Sequence, residues 1–377
     1  MEHTLIYIIP AVILCFMMTW GVGANDLANV MSTTMGSQAI TIRQAIVIAI
    51  IFEIAGAFFG GTGVTETIRD RIINISQLSD SPLILIEGML GVLLACTIWM
   101  NLASYLGVPV SITNALVGSM VGFGSVVLGN NYIHWNQVSH IAIGWITSPL
   151  IAGVSSYALF ISIQQTIFAK ANPLAKAKLY MPLYLFLIGC ILSFFILFKG
   201  LKHFNIHLSN LHSILTMLST SIIIVIIGTI TIRRIPEKQI MKRRDNFRQI
   251  ERYFAILMAM TACAMVFAHG SNDVALTVGP LTIIYTLVLD SHQHFNVSLY
   301  PSWIILLALF GVISGFLLYG RKVIETVGSS ITTLTPSRAF AATLAAATTV
   351  VVATSLGIPV SATQTLVGAV LGVGLAR

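Results

Sequence analysis

The stretch GVPVSITNALVGSMVGFG at Gly107–Gly124 returns as GIPVSATQTLVGAVLGVG at Gly357–Gly374. Ten of the eighteen positions are identical when the two copies are aligned without a gap. A duplication of this kind within one chain indicates two homologous halves. The repeat decides the organisation of the fold, because a structure proposed for one copy must also fit the other copy.

A second motif precedes each copy of this repeat, and the order is the same in both halves. An Asn-Asp pair ends an apolar run at Asn25-Asp26 and again at Asn272-Asp273. The aspartate of the first pair lies 83 residues before Pro109, and the aspartate of the second pair lies 86 residues before Pro359. This matching order and spacing support two homologous halves more strongly than either motif does alone.

The composition places both halves in a membrane. Of 377 residues, 56% are hydrophobic and 9% are charged, and the mean hydropathy is +0.90. This leaves too little polar surface for a water-soluble globule. A membrane-spanning helix needs about 20 apolar residues, and the apolar runs supply roughly ten to twelve such segments. We therefore predict an all-α fold, a polytopic transmembrane helical bundle.

Three hydrophobic runs and a basic segment separate the halves. An odd number of crossings between the halves would invert the second relative to the first. Many secondary transporters are built in this way, with the site near the midplane where broken helices meet. We predict inverted repeats with broken helices or re-entrant hairpins. The predicted parts are a first transport repeat (1–135), intervening transmembrane helices (136–232), a basic cytoplasmic loop (233–252) and a second transport repeat (253–377).

The net charge of +7 has a local origin. Between Arg233 and Arg252 the chain carries an excess of five positive charges. A basic loop between membrane segments is most simply the positive-inside signal. We therefore predict that it is cytoplasmic and that the protein lies in the plasma membrane, the inner membrane if the cell is bacterial. Nucleic-acid binding is disfavoured because Phe247 is the one aromatic residue in the segment, whereas a contact with anionic lipid stays open.

The Pro-Val-Ser motif predicts an anion-binding site in each half. In hydrocarbon, a proline-broken stretch survives only where it is buried in protein or lines a polar cavity. Proline suits the first turn of a helix, so Ser111 and Ser361 would sit in that turn with Thr113 and Thr363 nearby. Free backbone N–H groups, the positive end of the helix dipole and two hydroxyls together favour an anion. The alternative is that these hydroxyls only bond their own helices or pack against a neighbour.

Acidic residues in apolar runs need a partner. Asp26 and Asp273 end such runs and Glu53 lies inside one, and no Lys or Arg falls within four residues of them. An unpaired acid near the bilayer centre costs a few kcal/mol, so these groups should hold protons or cations. Asn29 follows Asn25 by one helical turn and would face the same way. The alternative left open is that the aspartates cap helices outside the hydrocarbon.

Three further features of the sequence bear on the site or on helix packing. His269, beside the second Asn-Asp pair, is more often a hydrogen-bonded structural histidine than a proton carrier. Glu53 has no evident counterpart in the second half near Ser314. The glycines in Gly118–Gly129 and Gly368–Gly374 are interpreted as positions of close helix packing.

On these motifs the chain resembles the inorganic phosphate transporter (PiT) family. The GANDxAN-type signature of that family is matched by Gly23–Asn29 and more loosely by Gly270–Leu276. Its Pro-[Val/Ile]-Ser-x-Thr signature is matched by Pro109–Thr113 and Pro359–Thr363. Further likeness appears in Ile51–Glu53, Glu66–Arg69 and Thr335–Ser337. A doubled signature is far more specific than a single one.

The resemblance implies secondary active symport of inorganic phosphate with Na+ or H+ by alternating access. It implies no enzymatic activity, no cofactor beyond the coupling ion and no nucleic-acid partner; a homodimer is one candidate for the oligomeric state. The residues assigned to phosphate are Ser111, Thr113, Asn114, Ser361, Thr363, Gln364, Asn25 and Asn272. The residues assigned to Na+ or proton coupling are Asp26, Asn29, Asp273 and Glu53.

The sequence also departs from the family pattern and leaves rivals. Many members have His where this chain has Asn114 and Gln364, and the second signature ends in Leu276 where Asn is common. A histidine proton relay at those two positions is therefore excluded. A sulfate permease of the same family is the nearest rival, since both anions are tetrahedral. A divalent-cation transporter would use the same Asp and Asn residues without the Ser-Thr motifs. A membrane enzyme lacks a nucleophile and base at matched spacing.

Overall fold

Helices account for nearly all of the described chain. The computed structural model describes residues 2–60, 72–73, 82–195, 209–235, 243–289, 301–330 and 334–376. The likeness noted at Glu66–Arg69 and the middle of the basic segment (236–242) lie outside the described residues. The first seven helices are α1 (Glu2–Val22), α2 (Ala28–Gly36), α3 (Ile42–Gly60), α4 (Pro82–Leu106), α5 (Ile112–Phe123), α6 (Trp135–Ile163) and α7 (Pro173–Phe195). The next seven are α8 (Asn210–Arg233), α9 (Arg243–His269), α10 (Ala275–Leu289), α11 (Ser302–Tyr319), α12 (Arg321–Ser330), α13 (Pro336–Ser355) and α14 (Ala362–Leu375).

These helices confirm the predicted all-α, polytopic bundle. Within the described ranges, nine helical stretches are long and apolar enough to cross a membrane. Two further apolar stretches, Ile112–Leu128 and Ala362–Leu375, are shorter. The total of eleven falls within the predicted ten to twelve. The stretch Asp245–Val288 runs for 44 residues because it joins α9 to α10, and about 20 residues are enough for one crossing.

The two Asn-Asp pairs lie in short π-helical turns. α1 passes into α2 through Gly23–Leu27, and α9 passes into α10 through Gly270–Val274. We call these turns the first break and the second break. A π-helical turn interrupts the regular hydrogen-bond ladder, and such turns are frequent at functional sites. The interruption predicted at each Asn-Asp pair is therefore present as a change of helix type.

Each Pro-Val-Ser motif lies in an extended link between two helices. The first cup, residues 107–114, comprises the link after α4 and the first three residues of α5, and the second cup, residues 357–364, comprises the link after α13 and the first three residues of α14. Both links open with a glycine whose φ is 72°, Gly107 in one and Gly357 in the other. Glycine adopts this left-handed conformation without the strain of a side chain and commonly ends helices in this way.

The prolines do not begin the helices, so the expectation that each stands in a first helical turn is wrong. Pro109 and Pro359 lie in the extended links, two residues before the helix caps. Ser111 and Ser361 are the N-cap residues, with extended backbone conformations, and α5 and α14 begin at the residues that follow them. The reason is that a capping serine keeps non-helical dihedrals while its side chain satisfies the first free N–H groups.

Each break packs against a helix of the other half. A Cβ atom on Gly23, in the first break, would lie 1.8 Å from the carbonyl oxygen of Val312 in α11. A Cβ atom on Gly270, in the second break, would lie 2.5 Å from the carbonyl oxygen of Glu53 in α3. Only glycine permits backbones to approach this closely. Consequently α3 and α11 each reach the Asn-Asp pair of the opposite half.

Glycines are used differently in the two copies of the repeat. In α14, a Cβ on Gly368 would lie 2.4 Å from the Pro149 carbonyl oxygen, and Gly372 is packed equally tightly on α6. In α5, a Cβ on Gly118 or Gly122 would meet no atom of the described residues within 4 Å. The interpretation as close packing is thus confirmed for Gly368 and Gly372, and it is wrong for Gly118 and Gly122 and for Gly374, which also meets no described atom within 4 Å.

The predicted cytoplasmic loop is shorter than expected. α8 extends to Arg233 and α9 begins at Arg243, so the second half of the segment 233–252 is helical. The helix here is stabilised by packing that the charge pattern does not reveal, since Phe247 stacks on Phe168 with ring centroids 5.5 Å apart. Between the two predicted halves, the described residues form three long helices, α6 to α8.

The repeat supplies a matched pair of variants for the packing of α14 on α6. We expect Gly368→Ala to lower the free energy of unfolding by about 1–3 kcal/mol, the usual effect of overpacking a close contact. Gly118→Ala occupies the equivalent position of α5 and should leave stability unchanged or raise it slightly, because alanine is the better helix former. Thermal unfolding of the detergent-purified variants measures both. Equal melting temperatures would contradict the α6–α14 contact.

Candidate functional site

Asp26 connects the two halves of the chain. Its carboxylate is buried, and its Oδ2 atom accepts a hydrogen bond of 3.2 Å from the backbone N–H of Ile112, the first residue of α5. Its Oδ1 atom accepts a hydrogen bond from the hydroxyl of Thr363 in α14. One aspartate therefore holds the start of a helix in its own half and a threonine of the other half.

Asp273 makes the reciprocal contact. Its Oδ1 atom accepts a hydrogen bond of 3.0 Å from the amide of Asn272 and lies 3.2 Å from the hydroxyl of Thr113 in α5. The Thr113 hydroxyl is also 3.2 Å from the carbonyl oxygen of Val360. With its single proton it donates to one of these acceptors at a time. Each aspartate is thus paired with a threonine of the opposite half.

In this arrangement, carboxylates occupy the donors that the sequence assigned to an anion. The N–H at the start of a helix and the hydroxyls of Thr113 and Thr363 are suited to bind an oxyanion. Here they face Asp26 and Asp273 instead. The groups predicted for cation and for anion binding therefore form one cluster, whereas the sequence analysis treated them as two complementary motifs.

Ser111 and Ser361 have a defined structural role. The Oγ atom of Ser111 accepts a hydrogen bond of 3.3 Å from the backbone N–H of Asn114, and that of Ser361 accepts one of 3.1 Å from the N–H of Gln364. Both are thus side-chain N-caps, which typically stabilise a helix by about 1 kcal/mol. The Ser111 hydroxyl in turn lies 3.3 Å from the Asn114 side-chain oxygen. These contacts orient the hydroxyls of Ser111 and Ser361 and the side chain of Asn114 within the cups.

The amides of Asn25 and Asn272 shape the cups, a role that the sequence did not predict. The Asn25 amide donates to the carbonyl of Val108 at 2.9 Å and accepts from the N–H of Val110 at 2.9 Å. It therefore holds the first cup through two backbone groups, one on each side of Pro109. The Asn272 amide donates to the carbonyl of Val360 in the second cup at 2.8 Å. The same residue type holds both extended links in place.

His269 joins Glu53 to the second Asn-Asp pair. Its Nδ1 atom is hydrogen-bonded to Glu53 Oε1 at 2.7 Å, and its Nε2 atom lies 3.6 Å from Asp273 Oδ2. All three side chains are buried. The sequence interpretation of a hydrogen-bonded histidine was right about the bond and missed its place in the site. The spacing of His269 and Asp273, four residues apart along a helix, was the available signal.

A cation could bind between three of these side chains. One ligand atom from each of Asp26, His269 and Asp273 lies within 4.8 Å of the others. Carboxylate oxygens suit a hard cation such as Na+. An imidazole in this position either ligates in its neutral form or supplies a positive charge of its own. The cluster thus fits a hard cation, with two oxygen donors from different halves.

Several buried polar atoms of the predicted site residues have no hydrogen-bond partner among the described residues. They are both side-chain polar atoms of Asn29, Oε2 of Glu53, Oδ2 of Asp273 and Oε1 of Gln364. A buried polar atom without a partner costs about 1–3 kcal/mol. Their concentration on residues chosen independently for ligand binding supports a polar site at this place.

The charge in this region is not balanced by basic side chains. Asp26, Glu53 and Asp273 are buried, and among the described residues no lysine or arginine is buried. One imidazole, from His269, faces three carboxylates. Ionised carboxylates in a membrane need cations or protons beyond that single group. The unbalanced negative charge would attract small cations.

A polytopic helical bundle with a buried, ligand-binding cluster between two repeated halves is the architecture of a membrane transport protein. A sequence model described as the phosphate transporter family matches residues 22–377. The chain is 42% identical over 365 residues to the "Putative phosphate permease" of Haemophilus influenzae, covering 96% of this chain and 86% of that protein. The chain belongs to the phosphate transporter family.

Two further comparisons extend this relationship. The chain is 35% identical over 390 residues to the "Inorganic phosphate transporter 2-1, chloroplastic" of Arabidopsis thaliana, covering 96% of this chain and 65% of that protein. A solved structure described as "The sodium-dependent phosphate transporter" superimposes with a TM-score of 0.87 and 35% identity, covering 98% of this chain and 90% of that one. The fold is thus that of a transporter, in agreement with the prediction that the protein is not an enzyme.

The Glu53–His269 pair can be tested by a double-mutant cycle. We expect Glu53→Gln and His269→Gln each to lower the melting temperature, because each leaves a buried partner unsatisfied. The double variant should lose less stability than the sum of the losses in the two single variants, with a coupling free energy of about 0.5–3 kcal/mol. Glu325→Gln, in the exposed ion pair of Arg321 and Glu325, is the control and should leave the melting temperature unchanged. Additive losses at Glu53 and His269 would rule out the pair.

Proposed function

We propose that this protein moves inorganic phosphate across the membrane together with Na+, by alternating access. Phosphate is supported by membership of the phosphate transporter family and by the names of the relatives. Na+ is supported by the name of the similar solved structure and by the carboxylate cluster. The observation that carries the proposal is the reciprocal contact of Asp26 with Thr363 and of Asp273 with Thr113.

These contacts supply a coupling mechanism. Without a cation, the aspartates hold the threonine hydroxyls and the N–H of Ile112, and their negative charge repels phosphate. A bound cation attracts the carboxylates and offsets their charge, which releases the same donors to phosphate oxygens. Cation and anion then bind more tightly together than either does alone. Such mutual dependence is the coupling free energy that symport requires.

The roles follow from this mechanism. The phosphate-binding side chains are Ser111, Thr113, Asn114, Ser361, Thr363 and Gln364. The cation-binding side chains are Asp26, Asp273, Asn29 and Glu53. Asn25 and Asn272 contribute by holding the cups in the extended shape that presents these groups, as their backbone contacts support.

Alternating access rests on the two-half organisation. The described residues between the halves form three long helices, an odd number of crossings, which supports an inverted second half. In such folds one repeat rocks against the other around a fixed site. A movement of this kind would change the cross-half contacts of Asp26 and Asp273. We place the basic segment 233–252 on the cytoplasmic face of the plasma membrane, following the positive-inside rule.

One observation favours a second coupling ion. His269 lies between the carboxylates of Glu53 and Asp273, and histidine is the side chain best suited to gain and lose a proton near neutral pH. A proton could therefore replace Na+ as the coupling ion. Sulfate remains the rival substrate, because its tetrahedral oxygens would meet the same donors.

Uptake of radiolabelled phosphate and sulfate into proteoliposomes separates these possibilities. An inwardly directed Na+ gradient at equal pH should accelerate phosphate uptake about 5- to 150-fold, the usual range of coupling between two ligands. A pH gradient without Na+ should have little effect. Phosphate uptake that ignores both gradients would exclude symport, and a response to pH alone would transfer the coupling to H+. Sulfate uptake without phosphate uptake would assign the protein to the rival substrate.

Variants of one cross-half contact distinguish the two roles. Asp26→Asn removes the charge that attracts the cation, so phosphate uptake should lose its dependence on Na+ and fall by about tenfold or more, equivalent to at least 1.4 kcal/mol. Thr363→Val removes a donor to phosphate and should raise the KM for phosphate while uptake still depends on Na+. Thr286→Val is the control, because that hydroxyl bonds only its own helix at Thr282. Identical effects of the Asp26 and Thr363 variants would contradict the separate roles.

A further inference from the structure

A cavity lies beside the second cup. It has a volume of about 560 Å³ and is bounded by α6, α7 and α13, with the second cup at one end. This volume is within the range of sites that hold small organic ligands, about 300–1,000 Å³. We call this cavity the α6–α13 groove. Its wall includes Thr147, Ile151, Ser155, Thr348, Val352 and Val360.

The chemistry of the groove excludes an ion. Among the described residues that line it, none is charged. Its threonine hydroxyls donate to their own helices, Thr147 to Ile143 at 3.0 Å, and Thr348 to Leu344 at 2.7 Å. Donors bonded within their own helices are not left for phosphate or for another polar ligand. Apart from Ser148 and Ser155, the rest of the wall is mostly aliphatic, and it suits a hydrocarbon chain.

The groove opens onto the surface that faces lipid. Ile151 is 55% exposed and Val352 is 47% exposed, although both line the groove. Their neighbours along the same helical surfaces include Val154, which is 70% exposed. An apolar side chain exposed within a membrane-spanning helix contacts lipid. The groove is thus continuous with the lipid-facing surface, and the bilayer is the immediate source of an occupant.

We propose that the α6–α13 groove binds one acyl chain of a membrane phospholipid, which supports the second cup from behind. Ile358 and Val360 of the second cup form part of the groove wall. The Val360 carbonyl accepts a hydrogen bond of 2.8 Å from Asn272 and lies 3.2 Å from the Thr113 hydroxyl. An acyl chain packed against this link limits how far the Val360 carbonyl can move. Bilayer composition would then act on the cup without any contact between lipid and substrate.

Native mass spectrometry of the full-length protein, purified in detergent and supplied with dioleoylphosphatidylglycerol or dioleoylphosphatidylcholine, tests the proposal. The wild-type protein should retain one phospholipid per chain after excess lipid is removed. Ser155→Phe and Thr348→Phe fill the groove from opposite walls and should each abolish that retained lipid. Val154→Phe adds the same side chain on the adjacent lipid-facing surface and should retain it.

Three results would overturn the proposal. They are a wild-type protein that retains no lipid, filling variants that retain as much lipid as Val154→Phe, and a second copy of this chain found bound in place of lipid. The wild-type measurement does not depend on whether a variant folds. It also does not depend on the proposed transport activity, so failure of either proposal is distinguishable from failure of the other. If transport is as proposed, Thr348→Phe should also raise the KM for phosphate relative to Val154→Phe.

Discussion

Among the described residues, buried carboxylates with no buried lysine or arginine beside them are the strongest physical constraint on this protein. Asp26, Glu53 and Asp273 lie where water is excluded, and one imidazole faces all three. Hydrocarbon penalises each uncompensated charge, so the surrounding groups must donate hydrogen bonds or admit cations. The hydrogen bonds come from the hydroxyls of Thr113 and Thr363 and from the N–H of Ile112. The shortage of donors that remains supports the cation binding that we propose for this site.

The rest of the fold serves to bring these groups together from distant parts of the chain. Because the threonine partner of each aspartate belongs to the opposite half, neither half forms a complete site alone. The close backbone approaches at Gly23 and Gly270 let α11 and α3 reach across to the opposite break. The left-handed glycines that open the cups turn the chain into the extended links. Asn25 holds one of those links through two of its backbone groups. Packing and polar contacts therefore specify the same arrangement.

The sequence predicted the residues of the site better than the contacts between those residues. Duplication revealed both Asn-Asp pairs and both Pro-Val-Ser links, since a repeated pattern is visible without a structure. It did not reveal that the predicted cation and anion groups contact one another, because that contact joins residues more than 150 positions apart, such as Thr113 and Asp273. His269 was judged structural because its partner Glu53 comes from α3, 216 residues away in the chain. Local rules explain the serine caps, whereas only tertiary packing explains the helical second half of the basic segment.

The two halves share a backbone plan but differ in charge. The first half contributes Glu53 and the unpartnered amide of Asn29, whereas the second half has apolar Leu276 at the position that matches Asn29. Ser314, on α11 near the position expected for a counterpart of Glu53, donates to its own helix at Gly311. A repeat related by inversion would give two equal end states only if both halves carried the same groups. Here the negative charge is concentrated around α3, the first break and His269, so the two end states of an alternating cycle would hold a cation with different strength. Under the proposed alternating access, an inequality of that kind would favour one end state as the resting conformation, while the repeated backbone would preserve the path between the two.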